Sequence, residues 1–228
     1  MQSSAMPIDS ELTDQVWRMP LKRDQAYAVI RRAIIRLDLQ PGSLIDETAL
    51  SKHLGLGRTP IREALQRLMH EGLVAVFPRR GMMVAPVSLM DFQHLVQARM
   101  VWEPNIARLA ARSGTAETWE ALAAALAETP ADFTTVEETE RSADIDRRFH
   151  TGIARATGNS FLVELVERHQ HRTARLAFLF FRHGLYDPVT EQHYTILDAL
   201  REGDGDRAAA LMEQHIQVTR QRQARVLQ

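Results

Sequence analysis

No cysteine occurs among the 228 residues of the chain. Disulfide frameworks and thiolate metal sites are thereby excluded, so any metal must be held by histidine and carboxylate. Equally missing is an uninterrupted apolar run of the roughly 18 residues that a membrane-spanning helix needs, and no membrane partner is expected. The opening MQSSAMPIDSELTDQ lacks the basic stretch and apolar run of a secretory signal, which gives the expectation of a cytoplasmic protein. No internal repeat or low-complexity tract stands out. Net charge is almost absent at -1, but that balance conceals an asymmetry. Residues 21–86 carry 11 Lys and Arg against 6 Asp and Glu, while residues 87–228 carry 16 against 20. A basic smaller part joined to an acidic larger part is expected of a chain whose first part is drawn to phosphate and whose remainder is not. With 45% hydrophobic residues the chain is too apolar to be disordered and long enough for two ordinary domains.

What is present begins with Gly57 to Gly81, GRTPIREALQRLMHEGLVAVFPRRG. Thr59 suits a helix cap and Pro60 a first helical position, where a missing N–H is harmless. Ile61, Ala64, Leu65, Leu68 and Met69 follow at helical spacing and form one inward stripe. Arg58, Thr59, Arg62 and Gln66 lie off that stripe near the helix start. A helix N-terminus favours phosphate, and arginine forks match guanine edges in the major groove. Gly72 is the expected C-cap. Leu73–Phe77 and Met82–Ala85 then read as strands joined through Pro78-Arg79-Arg80-Gly81, a hairpin with arginines at its tip. A basic helix start beside a basic hairpin is the layout of a winged helix-turn-helix, in which the helix enters the major groove and the wing follows the backbone or minor groove.

Residues 1–20 are polar and unpatterned and are expected to form a flexible arm. Leu21 to Leu37 reads as a helix, with Ala26, Val29, Ile30, Ala33 and Ile34 inward and Arg31, Arg32 and Arg36 outward. Gln40-Pro41-Gly42 breaks it, and Leu44-Ile45 suits a short strand against the wing. Asp46 to Leu54 is the expected first helix of the motif, capped by Asp46, with Ala49, Leu50 and Leu54 inward. Leu54-Gly55-Leu56-Gly57 supplies the tight turn. From Ala26 through Val84, the LQPG, the LGLGRTPIREAL and the RRG of the wing together closely resemble the DNA-binding domain of GntR-family bacterial transcription regulators. The resemblance implies DNA contacts from Arg58, Thr59 and Arg62 and from the wing at Arg80 and Gly81. Two positions depart from the family pattern. Gly57 stands where a phosphate-touching hydroxyl residue is usual, and Thr48 where some relatives place a DNA-contacting arginine.

From Ser88 onward the pattern is helical, with breaks near Ser113-Gly114, Thr129-Pro130, Gly158-Asn159, Asp187-Pro188 and Gly203-Asp204-Gly205. About six helices in an all-α antiparallel bundle are predicted for residues 87–228, beside a winged helix-turn-helix domain at residues 21–86. Asp146 and His150 are four residues apart and share a helical face, on which they could grip one ion. His193 lies beside Ile196, Leu197 and Leu200, and His215 among Leu211, Met212 and Ile216. Taken singly, a histidine on a partly apolar face is more often a hydrogen-bonded core residue, the reading given to His169, His171 and His183. The stretch as a whole resembles the FCD effector-binding domain of the FadR-like branch of the GntR family. That resemblance implies a metal site of Asp146, His150, His193 and His215 in the metal-binding subset. The donor set suits a divalent ion, zinc first, with nickel, iron and manganese also compatible. It further implies an effector role for Arg99, which would hold a small carboxylate bidentately, and for Asn159. Residue chemistry alone also allows a salt bridge of Arg99 to Glu103 and a capping role for Asn159.

The resemblance implies a ligand-responsive transcription regulator, in this family most often a repressor, that answers to a small organic acid, and a single winged helix reads so few bases that a homodimer on a palindromic DNA operator is expected. One alternative is a metal-dependent enzyme built on the helical domain, for which Glu140 and Asp144 are the nearest spare carboxylates and both read as solvent-facing. A second is a winged-helix regulator whose bundle only dimerises.

Overall fold

The computed structural model describes residues 14–131, 133–182 and 190–224. Two compact units divide the chain, Met1–Val87 and Ser88–Gln228. In the first, α1 (Asp14–Trp17) is a single turn followed by α2 (Lys22–Ile35), α3 (Glu47–Leu54), α4 (Arg58–His70) and a hairpin of β1 (Val74–Phe77) and β2 (Gly81–Val84). Of the stretch expected to be an arm, residues 1–13 lie outside the described residues.

Each element of this unit has a local cause. Asp46 caps α3, its carboxylate accepting from the N–H groups of Thr48 and Ala49 at 2.8 and 3.0 Å. Gly55 closes the helix with φ 64, the left-handed conformation that glycine reaches without steric cost. The α4 start differs from the expectation at Thr59. Gly57 is the N-cap, with extended backbone and no side-chain cap bond, so Arg58 and Thr59 belong to the first turn. Pro60 is then the third helical residue, still within the turn whose N–H groups lack intrahelical partners. The helix ends at Glu71, one residue before the expected Gly72. Gly72 follows in the left-handed region, and the Leu73 and Gly72 amides donate to the carbonyls of Leu68 and Met69. This is the double bond of a Schellman ending.

β1 and β2 pair antiparallel in the register Val74↔Val84 through Phe77↔Gly81. Arg80 N–H donates to the Phe77 carbonyl at 3.1 Å across a turn in which Pro78 is second and Arg79 third, with φ 65. Proline followed by a positive φ is a type II turn, whose third position is normally glycine or asparagine. The Leu44-Ile45 strand is reduced to a bridge, Leu44↔Met83, beside which the Ile45 amide donates to the Met82 carbonyl.

The core of this unit joins Ala26, Val29, Ile30, Ala33 and Ile34 of α2, Leu50 and Leu54 of α3, Ile61, Ala64, Leu65 and Leu68 of α4, and Val74 and Val84 of the wing. Two inward-outward assignments are corrected. Ala49 is exposed, because the short α3 buries only the narrow Leu50–Leu54 stripe. Arg36 is buried at the C-cap of α2, just before the left-handed Leu37.

The second unit is helical throughout its described residues: α5 (Leu89–Ser113), α6 (Ala116–Ala127), α7 (Val136–Ala156), α8 (Ser160–Arg182), α9 (Thr190–Arg201) and α10 (Gly205–Ala224). The break expected at Asp187-Pro188 lies outside the described residues, and the others fall between helices. Ser88, Thr115 and Thr135 cap α5, α6 and α7, the last through a full capping box with Glu138. α5 runs unbroken through Pro104, which a sequence rule would make a helix end. It packs on α10, α7 and α9, while α7 also meets α6 and α8.

Candidate functional site

Two groups of residues carry chemistry, one in each unit. In the first unit Arg58, Thr59 and Arg62 are exposed along the start of α4, and Arg80 and Gly81 are exposed at the wing turn. None of them contributes to the core behind α4, so the face they form is free for a partner. Arg62 is engaged by a neighbour, its Nε donating to Glu47 Oε2 at 2.7 Å.

In the second unit α7, α9 and α10 bring together Asp146, His150, His193 and His215. One ligand atom from each lies within 4.8 Å of the others. The three imidazoles are buried at 2, 4 and 1% exposure, and the Asp146 side chain is the member that reaches solvent, at 27%. Asp146 Oδ1 stands 3.6 Å from His150 Nε2 and 3.4 Å from His193 Nε2. Phe149 walls the group, its ring centroid 4.4 Å from that of His193.

The second nitrogens of two rings face partners outside the cluster. His150 Nδ1 lies at an ion-pair distance of 2.7 Å from Glu103 Oε2 without hydrogen-bond geometry, and His215 Nδ1 lies 3.1 Å from Gln192 Oε1. Such outer partners fix ring orientation in metal sites. His193 Nε2 is buried without a hydrogen-bond partner, and an orphaned buried nitrogen calls for an explanation. Three imidazoles and one carboxylate converging at this distance fit a divalent transition ion.

Burial opposes charge on every member. At His150 it is outweighed by Glu103 and Asp146, which push the imidazole up to about 9. Burial, against which Asp146 pulls only partly, brings His193 down to about 4, and burial together with the neighbouring His193 and His150 holds His215 well below the ordinary range. The Asp146 carboxyl is lowered despite burial, chiefly by His150.

Arg99 lies beside this group on α5. Its Nε and Nη2 donate to Glu103 at 2.6 and 3.2 Å, so the salt bridge open to it in the sequence is real. The pair is buried at 4% each, and Nη2 also comes within 3.5 Å of His150 Nε2. Asn159 is not brought to the cluster: it is exposed, and its Oδ1 accepts from Phe161 N–H at the start of α8. His169 stacks on Trp102 with centroids 5.0 Å apart, and His183 lies outside the described residues. Asp144 is exposed and paired with Arg147, whereas Glu140 is half-buried rather than solvent-facing; neither joins the group of four. The sequence reading missed Glu103 as a partner of His150. Its only signal there was its position four residues after Arg99.

Comparison with known proteins agrees with both halves. Residues 22–84 match the gntR family of bacterial regulatory proteins, and residues 94–218 match the FCD domain. The HTH-type transcriptional repressor GlaR of Escherichia coli is 30% identical over 199 residues, covering 83% of this chain and 90% of that protein. An HTH-type transcriptional regulator from an unstable DNA locus of Streptomyces ambofaciens is 31% identical over 205 residues, covering 85% of this chain and 81% of that protein. The HTH-type transcriptional repressor RspR of Escherichia coli is 26% identical over 194 residues, with 85% of each chain covered. Two solved structures share the fold. A transcriptional regulator GntR from Rhodococcus sp. has a TM-score of 0.70 at 24% identity, covering 90% of this chain and 97% of that one. Escherichia coli McbR/YncC has a TM-score of 0.68 at 20% identity, covering 89% and 99%. The curated relatives are transcription regulators, not enzymes. With an exposed basic helix and wing ahead of a helical domain, the chain belongs to the GntR family of bacterial regulatory proteins and is a DNA-binding transcription regulator of the GntR/FCD type.

Proposed function

We propose that this regulator is a metal-dependent sensor of a small organic acid that represses transcription from a palindromic operator. The observation that carries the reading is the convergence of Asp146 with the buried His150, His193 and His215 from three helices. When bound, a divalent ion would supply Lewis acidity for holding an anionic ligand through its remaining positions. The surrounding charges favour that ligand. Asp146 and Glu103 are offset by Arg99 and the ion, which leaves the pocket one net positive charge. Arg99 Nη1 carries no partner among the described residues and would donate to the carboxylate. Asn159, spent on capping α8, is left out.

Repression is supported by the names of the two Escherichia coli relatives, GlaR and RspR. A homodimer on a two-fold symmetric operator follows from recognition, because one winged helix reads too few bases alone. The cytoplasm is where such a protein would meet DNA, and no helix among the described residues is long and apolar enough to cross a membrane. Ligand binding would change operator affinity only by its differential affinity for two states of the protein.

Two measurements test the reading. Elemental analysis of the purified protein should find about one metal ion per chain. That metal should be lost in His150→Ala, His193→Ala and His215→Ala. Mobility-shift assays with the DNA upstream of the protein's own operon should then show binding that responds to small carboxylates in the metal-loaded protein only. Retention of metal by the three variants would overturn the site, and carboxylate response without metal would overturn the coupling.

A further inference from the structure

The contact between Glu47 and Arg62 joins the first residue of α3 to the start of α4. It is unusual for an interface meant for DNA, since a carboxylate there repels phosphate and cancels an arginine's charge. Its geometry explains why it is tolerable. Glu47 Oε2 takes the Nε–H of Arg62 at 2.7 Å, and among the described residues it is the only partner of that guanidinium. The two terminal nitrogens, Nη1 and Nη2, are left as a free fork. Those are the donors with which an arginine reads O6 and N7 of guanine bidentately. The Arg62 side chain is 62% exposed, whereas that of Glu47 is 26% exposed, so the acid is the better-anchored partner. Glu47 is itself fixed by the first turn of α3, where Asp46 holds the Thr48 and Ala49 amides and where a negative charge suits the helix dipole.

We propose that Glu47 is a positioning residue for base readout: it aims the Arg62 fork at a base edge and so exchanges non-specific phosphate attraction for sequence discrimination. The proposal rests on Arg62 being a base-reading residue, and it goes beyond that reading by assigning a role to an acid that touches no DNA itself. An exposed ion pair contributes little to folding. Holding a long side chain in one geometry before binding instead removes an ordering cost from the complex.

The role makes predictions of opposite sign on two probes. One probe is a duplex selected from a randomised pool by the wild-type protein, and the other is the same duplex with its sequence shuffled. Glu47→Ala should lower affinity for the selected duplex about tenfold, the worth of one misplaced bidentate contact. The same variant should raise affinity for the shuffled duplex about twofold, because a repelling charge has gone. Glu47→Gln, which retains an oxygen able to accept from Nε, should recover most of the selected-duplex affinity. Glu47→Ala in an Arg62→Ala background should cost nothing further on the selected duplex. An unchanged circular dichroism spectrum and melting temperature would show that both variants fold. If Glu47→Ala strengthens binding to both probes, the acid is only a repelling charge and the proposal fails. It fails too if the loss persists in the Arg62→Ala background, or if Glu47→Gln behaves as Glu47→Ala does. If Arg62→Ala alone leaves the selected duplex bound as tightly as before, the base-reading assignment of Arg62 falls, and the role of Glu47 with it.

Discussion

At the residue scale the most constrained position is Glu103. It is 4% exposed and sits between the Arg99 guanidinium and the His150 imidazole. Burial alone would raise its carboxyl, but Arg99 and His150 together hold it far below the usual range. Removing one member of a buried pair leaves the other charge without compensation, which costs about 3–5 kcal/mol. Glu103→Ala is therefore expected to lower unfolding free energy by about 3 kcal/mol or more in a urea titration. The exposed pair Arg155–Glu167, at 2.6 Å with side chains 66 and 43% exposed, is the control, and Glu167→Ala should cost about 0–1 kcal/mol. Similar losses for the two would mean that burial does not govern these pairs.

The same residues show what the sequence made legible. Asp146 and His150 were readable because helical spacing alone puts them on one face. The apolar neighbours of His193 and His215 marked those histidines as inward. Glu103 was readable only as a partner of Arg99, since its approach to His150 depends on how α5 packs against α7, which no local pattern encodes. Arg36 was misread because helical spacing sets it off the apolar stripe of α2, whereas it is the C-cap, where the chain leaves the helix and that spacing no longer applies.

At the element scale α4 separates stability from recognition along its two faces. Leu65 is fully buried in the core of the first unit, and Leu65→Ala should destabilise by about 2–5 kcal/mol through lost burial and a residual cavity. Arg58→Ala, on the exposed face, should leave the melting temperature unchanged and weaken binding to any duplex, with a smaller salt dependence. If Arg58→Ala instead shifted unfolding as strongly as Leu65→Ala, the two-faced assignment of α4 would be wrong.

α10 poses a related contest at its first residue. By helix propensity alone Gly205→Ala would stabilise by up to about 1 kcal/mol. A methyl group there, however, would lie 2.8 Å from the Arg108 carbonyl oxygen of α5, and that backbone cannot swing aside as a flexible side chain could. Overpacking of this kind costs about 1–3 kcal/mol. The expected outcome is net destabilisation, read as a lower melting temperature, and a stabilised variant would show that α10 can shift on α5. Caps and breaks of this kind explain why the elements were largely legible in sequence. Asp46 marked the α3 start, and Gly158 and Gly203 marked helix ends. The α4 start was misplaced because Thr59-Pro60 has the form of a cap followed by a first residue, while Gly57 caps with backbone alone.

For the molecule as a whole, the division into Met1–Val87 and Ser88–Gln228 makes a separation of functions testable. The first unit closes its own core from α2, α3, α4 and the wing, and domains smaller than this fold independently. The only group of potential metal ligands among the described residues belongs wholly to the second unit. A ligand that binds the folded state alone raises stability in proportion to the logarithm of its concentration over Kd, about 2.7 kcal/mol at a hundredfold excess. Zinc added to a fragment of residues 88–228 should therefore raise its melting temperature, and a chelator should reverse the rise. A fragment of residues 1–87 should show neither effect. That fragment should nevertheless bind duplex DNA with an affinity that falls steeply as salt increases, carried by the excess of Lys and Arg over acids in residues 21–86, while the acidic fragment should not bind at all. A zinc-induced shift in the fragment of residues 1–87 would mean that metal acts outside Asp146, His150, His193 and His215. DNA binding by the other fragment would mean that the charge asymmetry of the chain does not mark its interface.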